Sequence, residues 1–132
     1  KCGLLPLTQT AMRWGKIAYH DFEGVAVELD ERKRLVEDLG DCEVMVLRNH
    51  GLLSVGTSIG QAFNSIYRLE RACQVHIDAA AAGALHVMPQ AVAMQSQTDL
   101  DAFQASHPQG EGGVEFEALM RKLDRIDGSY RH

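Results

Sequence analysis

Asn49-His50-Gly51 is where residue type and spacing in this chain most directly offer chemistry. His50 follows the run Glu43-Val-Met-Val-Leu47 and two polar residues, and a glycine follows it. A neutral imidazole on a loop held by a rigid strand can ligate a divalent metal ion. The same position also suits a turn histidine bonded to backbone, and one ligand does not make a site. His20-Asp21 with Glu23 is a second cluster. Adjacent strand residues point to opposite faces, so His20 and Asp21 cannot easily share one ion. One of them could line a cleft; the other reading is a polar strand end. Cys73 and His76 fall on one helix face, but two further ligands are lacking and core packing is the better reading. His86, His107 and His132 fall in loops or the tail and carry no assignment. Gly51, Gly56 and Gly60 lack the lysine of a phosphate loop and do not follow the dinucleotide pattern. No serine sits in a nucleophile elbow. Arg32-Lys-Arg34 lies between Glu31 and Glu37, as on a solvated helix face.

These residues need elements to hold them. Residues 3–7 read as a short apolar extended segment and 8–16 as a short helix. Val25, Val27 and Leu29 alternate with Ala26 and Glu28, which suits a half-buried strand. Asp30 is placed to cap a helix over 31–39, with Leu35, Val36 and Leu39 on one face and Gly40 as its stop. Residues 43–47 and 52–55 read as neighbouring strands joined by a tight polar turn, the first covered on both faces. Asn49 and Gly51 tolerate the left-handed backbone such a turn needs. Ser58-Ile-Gly-Gln61 has the form of a capping box and opens the longest helix, which runs to about residue 82 before Gly83. Pro89 can open a further helix, and Thr98-Asp-Leu-Asp101 is a second capping-box candidate. Residues 107–113 read as a loop. Residues 115–126 read as a last helix, with Phe116, Leu119, Met120 and Leu123 on one stripe. The pattern favours a mixed α/β sandwich over a doubly wound fold.

The 132 residues suffice for one domain with a real core. Hydrophobic content is 45% and charged content 23%, which is globular rather than disordered. A net charge of -5 argues against nucleic acid or an anionic membrane as partner. No run approaches the ~20 apolar residues of a membrane span. Three cysteines without paired spacing point to a reducing cytoplasm rather than a disulfide framework. The chain starts at Lys1 with an apolar segment, which reads as the middle of a fold. The expectation is a domain whose N-terminal part is missing.

The segment Leu47-Arg-Asn-His-Gly-Leu-Leu-Ser-Val-Gly56 resembles the signature turn of the class II aldolase/adducin family. Cys2-Gly-Leu-Leu-Pro-Leu-Thr-Gln9, Ile17-Ala-Tyr-His-Asp-Phe-Glu-Gly24 and the stretch Gln61-Ala-Phe to Tyr67-Arg-Leu-Glu-Arg-Ala-Cys73 resemble the same family in the same order. The texture is nearer to adducin-head-like bacterial members than to the sugar-phosphate aldolases. The whole of 1–132 would then be a partial domain of this type, with 1–83 as family core and 84–132 as C-terminal helices and tail.

The resemblance implies a three-layer α/β/α sandwich around a mixed, largely antiparallel sheet. It implies a divalent metal, usually zinc, held by three histidines, with His50 as the third. The other two form a His-x-His pair that belongs upstream of Lys1, as does the acid/base residue. The implied chemistry is metal-assisted carbon–carbon cleavage of a small sugar-like or hydroxy-carbonyl substrate, in which the ion acts as a Lewis acid. The alternative is a non-catalytic adducin-like assembly module. This chain alone is expected to be inactive. A homo-oligomer, a tetramer by resemblance, is the expected assembly, with residues 3–7 at the contact.

Overall fold

The computed structural model describes residues 3–24, 29–106 and 112–131. Its elements are β1 (Ala18–His20), α1 (Leu29–Leu39), β2 (Val44–Leu47), β3 (Gly51–Ser54), α2 (Ile59–Ala82), α3 (Gln90–Ala105) and α4 (Gly113–Ile126), with a closing 3-10 turn at Ser129–Arg131. β2 is central. It runs parallel to β1, with Ala18 opposite Met45 and His20 opposite Leu47. It runs antiparallel to β3, with Val44 opposite Ser54 and Leu47 opposite Gly51. The sheet is mixed, and its described part has one pair of each sense.

Successive strand residues point to opposite faces, and both Val44 and Met45 are fully buried. Val44 meets Trp14 and Leu69, with Leu4, Ile17, Leu52 and Cys73 packed around them. Met45 meets Ala18 and Cys42, with Leu35, Leu39, Leu47 and Leu53 around them. Residues of α2 therefore cover one face and residues of α1 the other, which gives the expected three layers.

Several local expectations are corrected. Residues 8–16 form turns, not a helix: Met12 N–H donates to Thr8 O and Arg13 N–H to Thr10 O, and the chain then turns Trp14 into the core. Of the expected strand at 25–29, residues 25–28 lie outside the described residues, and Leu29 is helical. Asp30 sits inside the first turn of α1 beside Glu31, where acidic groups suit the positive end of the helix. Thr98 is in the middle of α3 and starts nothing. Its hydroxyl donates back to Met94 O at 3.1 Å, a bond that threonine makes inside helices. Of the expected loop at 107–113, residues 107–111 lie outside the described residues, and Gly113 is already helical. Residues 3–7 are bent and half-buried rather than extended. Leu4 packs on the Trp14 cluster, its N–H donates to the Tyr19 hydroxyl at 2.8 Å, and Pro6 O accepts from Met88 N–H at 3.1 Å. This chain's own elements therefore cover part of the segment that is expected at an oligomer contact.

The start of α2 agrees with its sequence. Ser58 Oγ accepts from Gln61 N–H at 3.1 Å. The return bond of the box is shifted by one residue, since Gln61 Oε1 accepts from Thr57 N–H at 2.8 Å. Ser58→Ala removes a partner for one orphan amide, and we expect urea unfolding to show a loss of about 1 kcal/mol. No loss would mean that the Thr57–Gln61 bond alone holds this end.

Candidate functional site

The β2–β3 turn is built to a tight specification. Leu47 pairs with Gly51, and His50 N–H donates to Leu47 O at 3.1 Å. Asn49 takes the left-handed backbone (φ 57°), which asparagine tolerates better than most residues. Arg48 ties the turn to the end of β1. Its N–H donates to His20 O at 2.9 Å, its Nε lies 2.8 Å from Asp21 Oδ1, and its guanidinium sits 5.1 Å from the centre of the Tyr19 ring. His50 thus stands exposed on an anchored turn.

His50, His20, Glu31, Leu47 and Arg48 line a common cavity of about 70 Å3. The His50 and His20 motifs, separate in the sequence, meet there because β1 and β2 run parallel with His20 opposite Leu47. Asp21, just past the end of β1, pairs with Arg48 and is not among the donors grouped with His20. His20 is only 5% exposed, and its Nδ1 lies 2.7 Å from Asp38 Oδ2. Its Nε2 lies 3.9 Å from Glu31 Oε1 and has no hydrogen-bond partner in the protein. Donor atoms of His20, Glu23 and Glu31 lie within 4.8 Å of one another. Hydrogen bonding to the Arg34 guanidinium holds the Glu23 carboxyl below the usual carboxylate range.

Glu31 and Asp38 are functional candidates that reading along the chain missed. Their signal is the spacing Glu31, Leu35, Asp38, which is one face of a helix. Leu35 turns that face toward the Met45 cluster. Cys73 and His76 do not form a donor group with others among the described residues. Cys73 packs at the Trp14 cluster, where burial raises its thiol pKa, and His76 Nδ1 accepts from Leu5 N–H at 3.5 Å.

The described residues do not by themselves build the zinc site that the resemblance implies. His50 belongs to no group of three donors at ligand distance among them, and a zinc ion takes three or four.

The family model for the class II aldolase and adducin N-terminal domain matches residues 1–77. A putative aldolase class 2 protein of Caulobacter vibrioides is 39% identical, over 98% of this chain and 50% of the relative. Mouse gamma-adducin is 36% identical, over 100% of this chain and 21% of the adducin. An aldolase II superfamily protein from Pseudomonas syringae has the same fold at a TM-score of 0.86 and 40% identity, with 100% of this chain and 53% of that chain covered. L-fuculose 1-phosphate aldolase from Glaciozyma antarctica matches at a TM-score of 0.69 and 24% identity, over 92% and 45%, and shares the fold. This chain spans about half the length of the bacterial relatives it matches. No helix among the described residues is long and apolar enough to cross a membrane.

Proposed function

The chain belongs to the class II aldolase and adducin family, and from that we propose that it is part of a metal-dependent lyase acting on a small sugar-like or hydroxy-carbonyl substrate. The observation that carries this reading is the placement of His50. An exposed imidazole on a turn pinned by Arg48 and Asn49 is a preorganised donor, free to complete a site with residues from outside this chain. Zinc is the ion we assign to that shared site. We also assign a cytoplasmic location, supported by the free thiols of Cys42 and Cys73.

We further propose a homo-oligomer. Ile77, Met94, Phe103 and Ile126 are each more than half exposed, at 65%, 58%, 62% and 71%. Large apolar side chains in such number suit a contact with another subunit or another part of the protein. The adducin-like alternative, an assembly module without catalysis, is favoured by the similarity to gamma-adducin across the whole chain.

Zinc analysis of the full-length protein beside its His50→Ala variant separates the two. We expect His50→Ala to remove about one equivalent of zinc per chain, while the far-UV circular dichroism stays as in the parent. A full-length protein that holds no zinc would favour the assembly module. One that holds zinc but loses none on His50→Ala would end the ligand assignment.

A further inference from the structure

We propose that His20, Glu23 and Glu31 form a second divalent-cation site, fit for a first-row transition ion such as zinc or manganese, in which His50 lines the same cavity but is not one of the grouped donors. The site begins with a buried imidazole. His20 is 5% exposed, yet Nε2 has no hydrogen-bond partner in the protein. Leaving a buried ring nitrogen unpaired is costly, so its direction is informative. It faces Glu31 Oε1 across 3.9 Å. That gap is too long for a hydrogen bond, whose heavy atoms lie about 2.7–3.2 Å apart. It is close to the spacing of two donors on one ion: bonds of about 2.1 Å at the tetrahedral angle hold donors roughly 3.4 Å apart. A carboxylate oxygen of Glu23 completes a group of three donors within 4.8 Å.

The surroundings prepare the ring for this role. Asp38 Oδ2 sits 2.7 Å from Nδ1, so a neutral ring that donates to this carboxylate keeps its proton on Nδ1 and offers Nε2 as the ligand atom. A carboxylate behind a histidine is the usual outer partner of a metal-binding imidazole. Glu31 and Asp38 lie in the first and last turns of α1, with Leu35 between them packed at the Met45 cluster, so the core holds both carboxylates against β1. Arg34 contacts Glu23, with Nε 2.9 Å from Oε1 and 2.8 Å from Oε2. A carboxylate offers about four lone-pair sites, so Glu23 can keep the arginine and still ligate. The imidazole selects a transition ion over calcium or magnesium. Such an ion would clasp the end of β1 to the first turn of α1.

The test uses full-length protein stripped with chelator, with Zn2+ and Mn2+ as probes. His50→Ala serves as the background that removes the other ligand position. We expect this background to bind one ion per chain and to gain thermal stability on loading. Adding Glu31→Gln should weaken binding at least tenfold, and adding Asp38→Asn should weaken it about 10- to 100-fold without removing a ligand. If Glu31→Gln fails to fold, Asp38→Asn decides. A background protein that binds neither probe overturns the site. Equal affinity in the background and both double variants also overturns it. The His50 assignment fails separately, when wild type and His50→Ala hold equal amounts of zinc.

Discussion

Leu69→Ala is expected to destabilise the protein by about 2–5 kcal/mol, the range for truncating a fully buried leucine. Leu69 has 0% exposure and lies midway along α2. It meets Trp14 and Val44, so one side chain joins the long helix, the turns before β1 and the central strand. Its removal leaves a space lined by groups from separate elements, none of which can close it without moving the others. Domains of this size are stable by only about 5–15 kcal/mol, so the loss takes a large share of the total. Urea denaturation should show a lower midpoint at an unchanged slope. Leu69→Met keeps the volume and should cost less than about 1.5 kcal/mol. A loss below 1.5 kcal/mol for the alanine variant as well would mean that the two faces of the sheet are stabilised independently of this contact.

The elements legible in the sequence are those whose signals are local. Ser58, Gln61 and Gly83 mark both ends of α2, and its apolar spacing fills the interval between them. The two apolar runs on either side of Asn49 give β2 and β3, because a two-sided strand needs no partner to be recognised. β1 is three residues long, too short for any periodicity, and its pairing with β2 is a long-range event. Thr98 and Asp101 mimic a helix start, but Thr98 finds its partner one turn back on Met94. The same division holds at the site. His50 is legible because a turn is a local object. The Asp38 and Glu31 partners of His20 are not, because they depend on how α1 lies across β1. Asp21 stays out of the donor group of His20, as the sequence suggests, but the sequence around them says nothing of a helix packed above.

Gly112→Ala is expected to release α4 from α2. Gly112 has φ 74°, a backbone that costs an alanine about 1–2 kcal/mol. A Cβ there would also lie 2.5 Å from Gly60 O and 2.8 Å from Asn64 Cβ. The first is backbone inside a helix and cannot give way alone, so overpacking adds about 1–3 kcal/mol. The contacts that oppose this are modest. Phe63 and Phe116 meet edge to face at 5.5 Å, and Arg68 lies 3.5 Å from Glu115. None of the α4 residues is fully buried, so little hydrophobic energy holds the helix once its first turn is displaced. Hydrogen exchange should therefore show α4 amides losing protection, while the β2–β3 ladder at Met45 and Leu53 keeps its own. Gly128→Ala is the control, since a Cβ there meets nothing within 4 Å, and it should leave α4 unchanged. Loss of protection in both α4 and the ladder would show that α4 opens only with the whole domain. Full protection of α4 in Gly112→Ala would show that the close approach of Gly60 and Gly112 is not what seats it. If the ladder survives while α4 opens, the turn that presents His50 is carried by the sheet and α2 alone.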